Sequence, residues 1–301
     1  MTTDGTDTGT ARSRAGGGEK SGHAADLVDR DALEPLPVDV VSIQSQVVYG
    51  CVGNSVAVPT LQAFGLNVVA LPTVLLSNIP HYDSLHGGPV PVEWFAGYLA
   101  DLDRRHALRH ARALLLGYLG PPAQTTVLVD WLERVLSEYP GLDLILDPVM
   151  GDHDAGVYVH PDLPPLLRDR LVPLASGLVP NSFELEQLVG EPLPTVEATI
   201  AAARQLLTGP IEWLVVTSAA PDQTPTGRVR VLAITEDAVD ETMHELVPTV
   251  AKGTGDLFTA VLTGRLLLGD DLALATKAAC DRTVTVLKRT VVRGCGELVL
   301  T

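Results

Sequence analysis

From residue 37 onward, short apolar runs rich in β-branched residues alternate with stretches of helical period, and this alternation restricts the fold most. Val38–Ile43, Asn67–Leu71, Ala113–Leu116, Leu142–Leu146, Gly177–Pro180 and Trp213–Thr217 read as buried strands. Helices are expected at Asn54–Phe64, around Trp94–Leu99, at Val127–Tyr139, from Ser182, at Val196–Leu207 and at Leu272–Thr290. Parallel strands need a crossover of this length, and a sheet made of such runs must be covered on both faces. The expected class is therefore α/β, with a mostly parallel central sheet between two helical layers. Val229–Thr235 and Glu241–Val247 read as a hairpin, and Glu297–Leu300 as a last strand. Ser77–Pro91 is expected to be a long connection, and Trp94, Phe95 and Tyr98 to be core.

Residues 1–36 carry almost no large apolar side chain, too few to offset the entropy of ordering, so they read as a disordered tail preceding one domain, 37–301. The chain holds 21 basic and 37 acidic side chains, a formal charge of −16, which argues against a nucleic-acid or anionic-membrane partner. A polyanion such as ATP would need local help from amides, a metal ion or a few placed cations. Three cysteines without a CxxC pair argue against a disulfide framework or zinc site and for a cytoplasmic protein. No apolar run is long enough to cross a bilayer, and no signal-peptide pattern opens the chain.

Val250-Ala251-Lys252-Gly253-Thr254-Gly255-Asp256 runs into a helix whose apolar face is Leu257, Phe258, Val261, Leu262 and Leu266. A glycine loop opening a helix offers unpaired amides and the positive end of the dipole, a seat for phosphate. Asp256 at its lip is placed to take a proton from an arriving alcohol, or simply to cap the helix. In parallel sheets ligands bind beyond the carboxyl ends of the strands. Ser45, Tyr118, Asp147, Asn181 and Thr217 each follow such an end. Individually they have plainer readings: Asp147 as a turn residue before Pro148, Glu184 as a first-turn acid, Tyr118 as a core aromatic. The Walker phosphate loop, a third glycine for GxGxxG and a GxSxG elbow are all missing.

Gly253-Thr254-Gly255-Asp256 resembles the signature of the ribokinase-like small-molecule kinases. Ile43-Gln44-Ser45-Gln46-Val47-Val48-Tyr49-Gly50 with Gly53-Asn54-Ser55 is similar to the pyridoxal kinases among them. Gly117-Tyr118-Leu119-Gly120, Asp147-Pro148-Val149-Met150-Gly151 and Pro180-Asn181-Ser182-Phe183-Glu184-Leu185 follow in that family's order, over about residues 38–300. The resemblance implies a ribokinase-like three-layer sandwich that phosphorylates the 5′-hydroxymethyl group of pyridoxal, pyridoxine or pyridoxamine with ATP. It makes Asp256 the base and Gly253, Thr254 and Gly255 the anion hole. Ser45 and Tyr118 contact the pyridine. Asp147 and Glu184 organise Mg²⁺, with Asn181 as a nearby oxygen donor and Thr217 on the nucleotide. Residues from His244 through Val247 to Val250 cover ATP as a lid. A K⁺ ion near the loop and a homodimer are implied in the same way. Lys252, beside the anion seat of so acidic a chain, is by position the best-placed cation for the ATP phosphates, or simply a solvated loop lysine.

The chain departs from the family after Ser77-Asn78, where Ile79-Pro80-His81-Tyr82 replaces the usual His-Thr. Pro80, His81 and Tyr82 are therefore expected on the substrate side, with His81 or Tyr82 taking over a polar contact to the ring. Three other functions are weighed. A hydroxymethylpyrimidine kinase shares the anion seat but not the Gln44–Gly50 motif. A non-catalytic vitamer-binding paralogue is opposed by the intact Asp256. A dinucleotide-binding oxidoreductase is opposed by the late, incomplete glycine motif.

Overall fold

The computed structural model describes residues 33–301, of which Pro35–Thr301 form one compact unit. The tail reading for residues 1–36 lies outside the described residues except at 33–36, which carry no helix or strand. In chain order the elements are β1 (Val40–Val47), α1 (Asn54–Gln62), β2 (Val68–Leu76), β3 (Gly87–Pro89), α2 (Val92–Arg104), β4 (Ala113–Leu116) and α3 (Pro122–Glu138). Next come β5 (Asp143–Leu146), β6 (Gly151–Asp152), β7 (Gly156–Val157), α4 (Leu163–Leu166), β8 (Gly177–Leu178), α5 (Ser182–Val189) and α6 (Val196–Leu206). The chain finishes with β9 (Trp213–Val216), β10 (Arg228–Ile234), β11 (Val239–Glu245), α7 (Thr254–Leu267) and α8 (Leu272–Arg293).

Nine strands form one sheet in the order β11-β10-β9-β8-β5-β4-β1-β2-β3. The six from β9 to β2 are parallel; β3 and β10 run against them at the two flanks, and β11 pairs antiparallel with β10. Each central strand feeds both faces in strict alternation. Val41 and Ile43, Leu114 and Leu116, Leu144 and Leu146, and Leu214 and Val216 pack under α2, α3, α5 and α6. Val40, Ala113, Leu115, Ile145 and Val215 pack under α1, α7 and α8. A strand buried on both sides needs apolar residues at every position, which is why these runs are continuous.

Several expectations need correction. β2 continues to Leu76, through Pro72, and recruits β3 from the segment read as a plain connection. Proline has no N–H for the ladder, and beside Pro72 the register with β1 slips, Ser45 of β1 opposing both Thr73 and Val74 of β2. Ser45 sits in that irregularity, inside the strand rather than beyond it. Phe95 is fully buried, whereas Trp94 and Tyr98 are 59% and 39% exposed, because they share the opposite stripe of α2. Glu297–Leu300 joins no ladder. Arg282 and Arg289 donate to the Leu300 carbonyl, Val299 N–H donates to Thr290, and Leu298 is buried.

α7 has no polar face over its first half: Leu257 to Gly264 are all buried, between α1 and α8. A helix enclosed on all sides is a rigid mount for whatever its N-terminus carries.

Candidate active site

The sheet order converts chain positions into a line. Thr217, Asn181, Asp147, Tyr118 and Ser45 belong to β9, β8, β5, β4 and β1, which are successive neighbours. Four inter-strand steps of about 4.8 Å span about 19 Å, room for a nucleotide and a second small molecule end to end. A cleft of about 770 Å³ runs along this edge. Ser45, Pro80, His81, Tyr118, Asp147, Asn181, Glu184, Thr217, Lys252, Gly253, Thr254, Gly255 and Asp256 all line it. Tyr82, His244 and Val247 do not. Tyr82 hydrogen-bonds Glu297 in a shallow surface depression, His244 Nδ1 faces the Glu245 carbonyl, and Val247 packs on the α7–α8 core.

The glycine loop meets the middle of the line. Gly253 takes a left-handed conformation, φ +91°, and a Cβ there would lie 2.0 Å from the Cys51 carbonyl oxygen. Only glycine lets α7 begin so close to the β1–α1 loop. Leu257 donates to the Gly253 carbonyl as the helix starts, leaving the amides of the preceding turn without a partner inside the helix. Asp256 keeps part of its surface on the cleft and accepts the Gly53 N–H at 2.9 Å. The surrounding protein crowds its carboxyl. Burial pushes the Asp256 pKa up, with the Gly53 hydrogen bond opposing.

Asp147 is buried at the end of β5, and Thr259, one turn beyond Asp256 on α7, donates to it at 3.0 Å. Burial raises the Asp147 pKa well above the usual carboxylate range. The charges of Glu184 and Asp256 push the same way, and the Thr259 hydroxyl opposes. Glu184 and Asn181 form a reciprocal cap on α5: Glu184 N–H donates to Asn181 Oδ1 at 2.8 Å, and Asn181 N–H to Glu184 Oε2 at 2.9 Å. Met150 N–H donates to the other Glu184 oxygen at 3.0 Å. The plainer helix-end role of Glu184 is thus real, alongside its place on the cleft wall. Burial pushes its pKa up to about 7 against three main-chain hydrogen bonds, with the charge of Asp152 adding to the rise.

Buried carboxylates gathered at one strand end, with Glu184 and Asp256 opposing the charge on Asp147, suit a divalent cation. Among the described residues no cluster of three or more His, Cys, Asp or Glu side chains is close enough to cage a metal. A hard cation sharing its ligands with phosphates and water fits that donor set; an all-protein cage does not. Tyr118 is half-buried, its inner side on the core and its carbonyl accepting Thr73 Oγ1–H at 2.7 Å. Lys252 is exposed at the lip.

Sequence reasoning missed Thr259, Tyr158 and Ser218. Thr259 looks like an ordinary helix position until β5 and α7 are brought together. Tyr158 enters on the β6–β7 hairpin, whose strands are only two residues each. Ser218 lines the cleft with φ +50°, uncommon for a residue with a Cβ.

Residues 113–298 match the family described as Phosphomethylpyrimidine kinase. A pyridoxine/pyridoxal/pyridoxamine kinase of Bordetella bronchiseptica is 56% identical over 269 residues, 89% of this chain and 95% of that protein. The pyridoxal kinase of Leishmania donovani, solved with ADP and pyridoxine, is 26% identical with a TM-score of 0.77 over 87% of this chain and 90% of that one. The pyridoxal kinase of Entamoeba histolytica shares the fold at 22% identity, with a TM-score of 0.81 over 88% of this chain and 93% of that one. Matched almost end to end at that level of identity, the chain belongs to the pyridoxal kinase family of the ribokinase-like superfamily.

Proposed function

We propose that this enzyme transfers the γ-phosphoryl group of ATP to the 5′-hydroxymethyl group of pyridoxal, and of pyridoxine and pyridoxamine. The observation that carries the reading is the Asp256 carboxylate beside the uncommitted amides of Gly253–Gly255, midway along a cleft two ligands long. The alcohol lies at the Ser45–Tyr118 end and the nucleotide at the Asn181–Thr217 end. As the alcohol oxygen bonds to the γ-phosphorus, the bond to the β-phosphate oxygen breaks, ADP leaves and the alcohol proton passes to Asp256. The amides of residues 253–255 face the charge that builds on the transferred group. Asp147 and Glu184 would hold Mg²⁺, which would supply charge neutralisation to the phosphates. Lys252 adds a cation at the lip. His81 and Pro80 close the vitamin end, and the segment from His244 to Val250 remains a candidate cover for ATP.

A pyrimidine alcohol is the second reading, favoured by the description of the matched family. Offering pyridoxal, pyridoxine, pyridoxamine and hydroxymethylpyrimidine with Mg-ATP, and comparing kcat/KM, separates the two. The vitamers should lead by at least an order of magnitude. Preference for the pyrimidine, or no ADP release with any vitamer, overturns the proposal. A homodimer, stimulation by K⁺ and a cytoplasmic location extend the reading, supported by family resemblance and, for location, by three unpaired cysteines. Among the described residues no helix is long and apolar enough to cross a membrane.

A further inference from the structure

Glu297 lies far along the chain from every residue the reaction uses, yet two cleft-lining loops converge on it. Its Oε2 accepts the Cys51 N–H at 3.3 Å, from the β1–α1 loop. Its Oε1 accepts the Tyr82 hydroxyl at 2.9 Å, from the β2–β3 loop. Both approaches are close. Gly50 has φ +117°, and a Cβ there would sit 2.7 Å from Glu297 Oε2. Tyr82 packs its ring against His81, centroids 4.4 Å apart, and edge-on to Tyr49 at 6.0 Å.

The base under Glu297 is firm. The next residue, Leu298, is buried in the α7–α8 core, and Arg289 and Arg282 hold the Leu300 carbonyl. The two loops it grips are the ones that shape the vitamin end. Two residues after Cys51, Gly53 N–H orients the Asp256 carboxylate, and the Cys51 carbonyl abuts Gly253. Immediately before Tyr82, Pro80 and His81 form cleft wall. The hydrogen bond to Glu297 pushes the Tyr82 pKa up to about 12, so the phenol stays a donor throughout the neutral range.

We infer that Glu297 is a positioning residue: its carboxylate straps the 79–82 wall and the 50–53 loop to the anchored C-terminal segment, setting the width of the vitamin end. This rests on the kinase reading above for which end takes the vitamin. The geometry divides the consequences. Removing the Tyr82 hydroxyl frees one loop, the wall that faces the vitamin. Removing the Glu297 carboxylate frees both, including the loop that orients Asp256.

Tyr82→Phe, Glu297→Ala, the conservative Glu297→Gln and the double variant test this in the full-length enzyme. Tyr82→Phe should raise KM for pyridoxal about five- to twenty-fold, the loss of one charge-assisted hydrogen bond, with kcat and KM for ATP within twofold. Glu297→Ala should raise the same KM and also lower kcat, and adding Tyr82→Phe to it should change nothing further. Glu297→Gln, able to accept only one of the two hydrogens, should fall between. Hydrogen exchange without ligands reads the strap independently of turnover. Amides of 77–86 should exchange faster in both single variants, and those of 50–53 only in Glu297→Ala. Unchanged exchange in both segments overturns the proposal even if pyridoxal is not the substrate. So does an equal rise in KM for ATP and pyridoxal in Glu297→Ala with Tyr82→Phe unaffected, which marks general loosening. Wild-type turnover of pyridoxal tests the kinase reading by itself.

Discussion

Replacing Asp256 by Asn separates chemistry from architecture, because the carboxylate has one observed structural contact and one proposed chemical task. Oδ2 accepts the Gly53 N–H at 2.9 Å, and an amide oxygen can do the same, so the loop contact survives. What the amide cannot do is accept a proton. A positioned general base contributes about 10²–10⁴-fold to rate, or about 3–5 kcal/mol of barrier. The expected result is a fall in kcat of that size, measured as ADP release, with KM for ATP and pyridoxal little changed. The stability term has the opposite sign. Burial raises the folded-state pKa of Asp256 above its ordinary 3.8, so the folded protein holds the proton more tightly than the unfolded chain does. Ionisation at neutral pH therefore costs stability, and the neutral amide removes that cost. The ligand-free variant should melt at the wild-type temperature or above it. A kcat within tenfold of wild type refutes the base assignment. A melting temperature lower by many degrees refutes the division of labour, because the carboxylate would then be holding the loop.

The same linkage extends to the whole acid cluster. The Glu184 pKa rises from 4.5 to about 7, and those of Asp147 and Asp256 rise with it, so ligand-free stability should decrease as pH climbs through that window. Glu184 alone accounts for at most about 3 kcal/mol, and Mg-ADP should flatten the slope; thermal melts with and without it, between about pH 5 and 8, check both points. Thr259→Val deletes the 3.0 Å hydrogen bond that favours ionised Asp147, so half-maximal activation should require several-fold more Mg²⁺ in a titration of initial rate. Gly253→Ala meets both the left-handed backbone, about 1–2 kcal/mol, and the 2.0 Å clash with the Cys51 carbonyl. It should lower both the melting temperature and kcat/KM; retention of wild-type values would show that the loop has another low-energy course.

Position along the cleft was legible wherever an apolar run ended in a polar residue. Tyr118, Asp147 and Thr217 are fixed by the last buried residue of their strands, and strand ends follow directly from hydrophobic pattern. The glycine loop at the start of α7 was legible for a similar reason: glycine, glycine and an acid before a buried helix leave few other conformations. Loop paths were not. Tyr82 turned away to Glu297, and His244 and Val247 lie off the cleft wall, because a segment without periodicity is placed by its tertiary contacts. Trp94 and Tyr98 misled for a different reason, since aromatic content alone does not say which stripe of a helix faces in. Glu297 was invisible because its partner Cys51 lies 246 residues away, and a single polar residue in an irregular tail carries no pattern.

An acidic chain that binds ATP looks contradictory until the charges of the cleft are taken one by one. Asp147, Asp152, Glu184 and Asp256 line it, and Lys252 is the lysine or arginine among the described lining residues. Burial raises the pKa values of Asp147, Glu184 and Asp256, and neighbouring carboxylates add to the rise at Asp147 and Glu184. A nucleotide alone would bring more negative charge into that field, whereas a Mg-nucleotide brings the neutralisation the acids lack. In the proposed reaction the amides of residues 253–255 would hold a phosphate without adding a formal charge, leaving Asp256 basic enough to take a proton. A lysine or arginine in place of those amides would bind phosphate more strongly but would pull the Asp256 pKa down and weaken it as a base. In that reaction the glycine loop would resolve the conflict between gripping an anion and keeping a neighbouring carboxylate able to accept a proton.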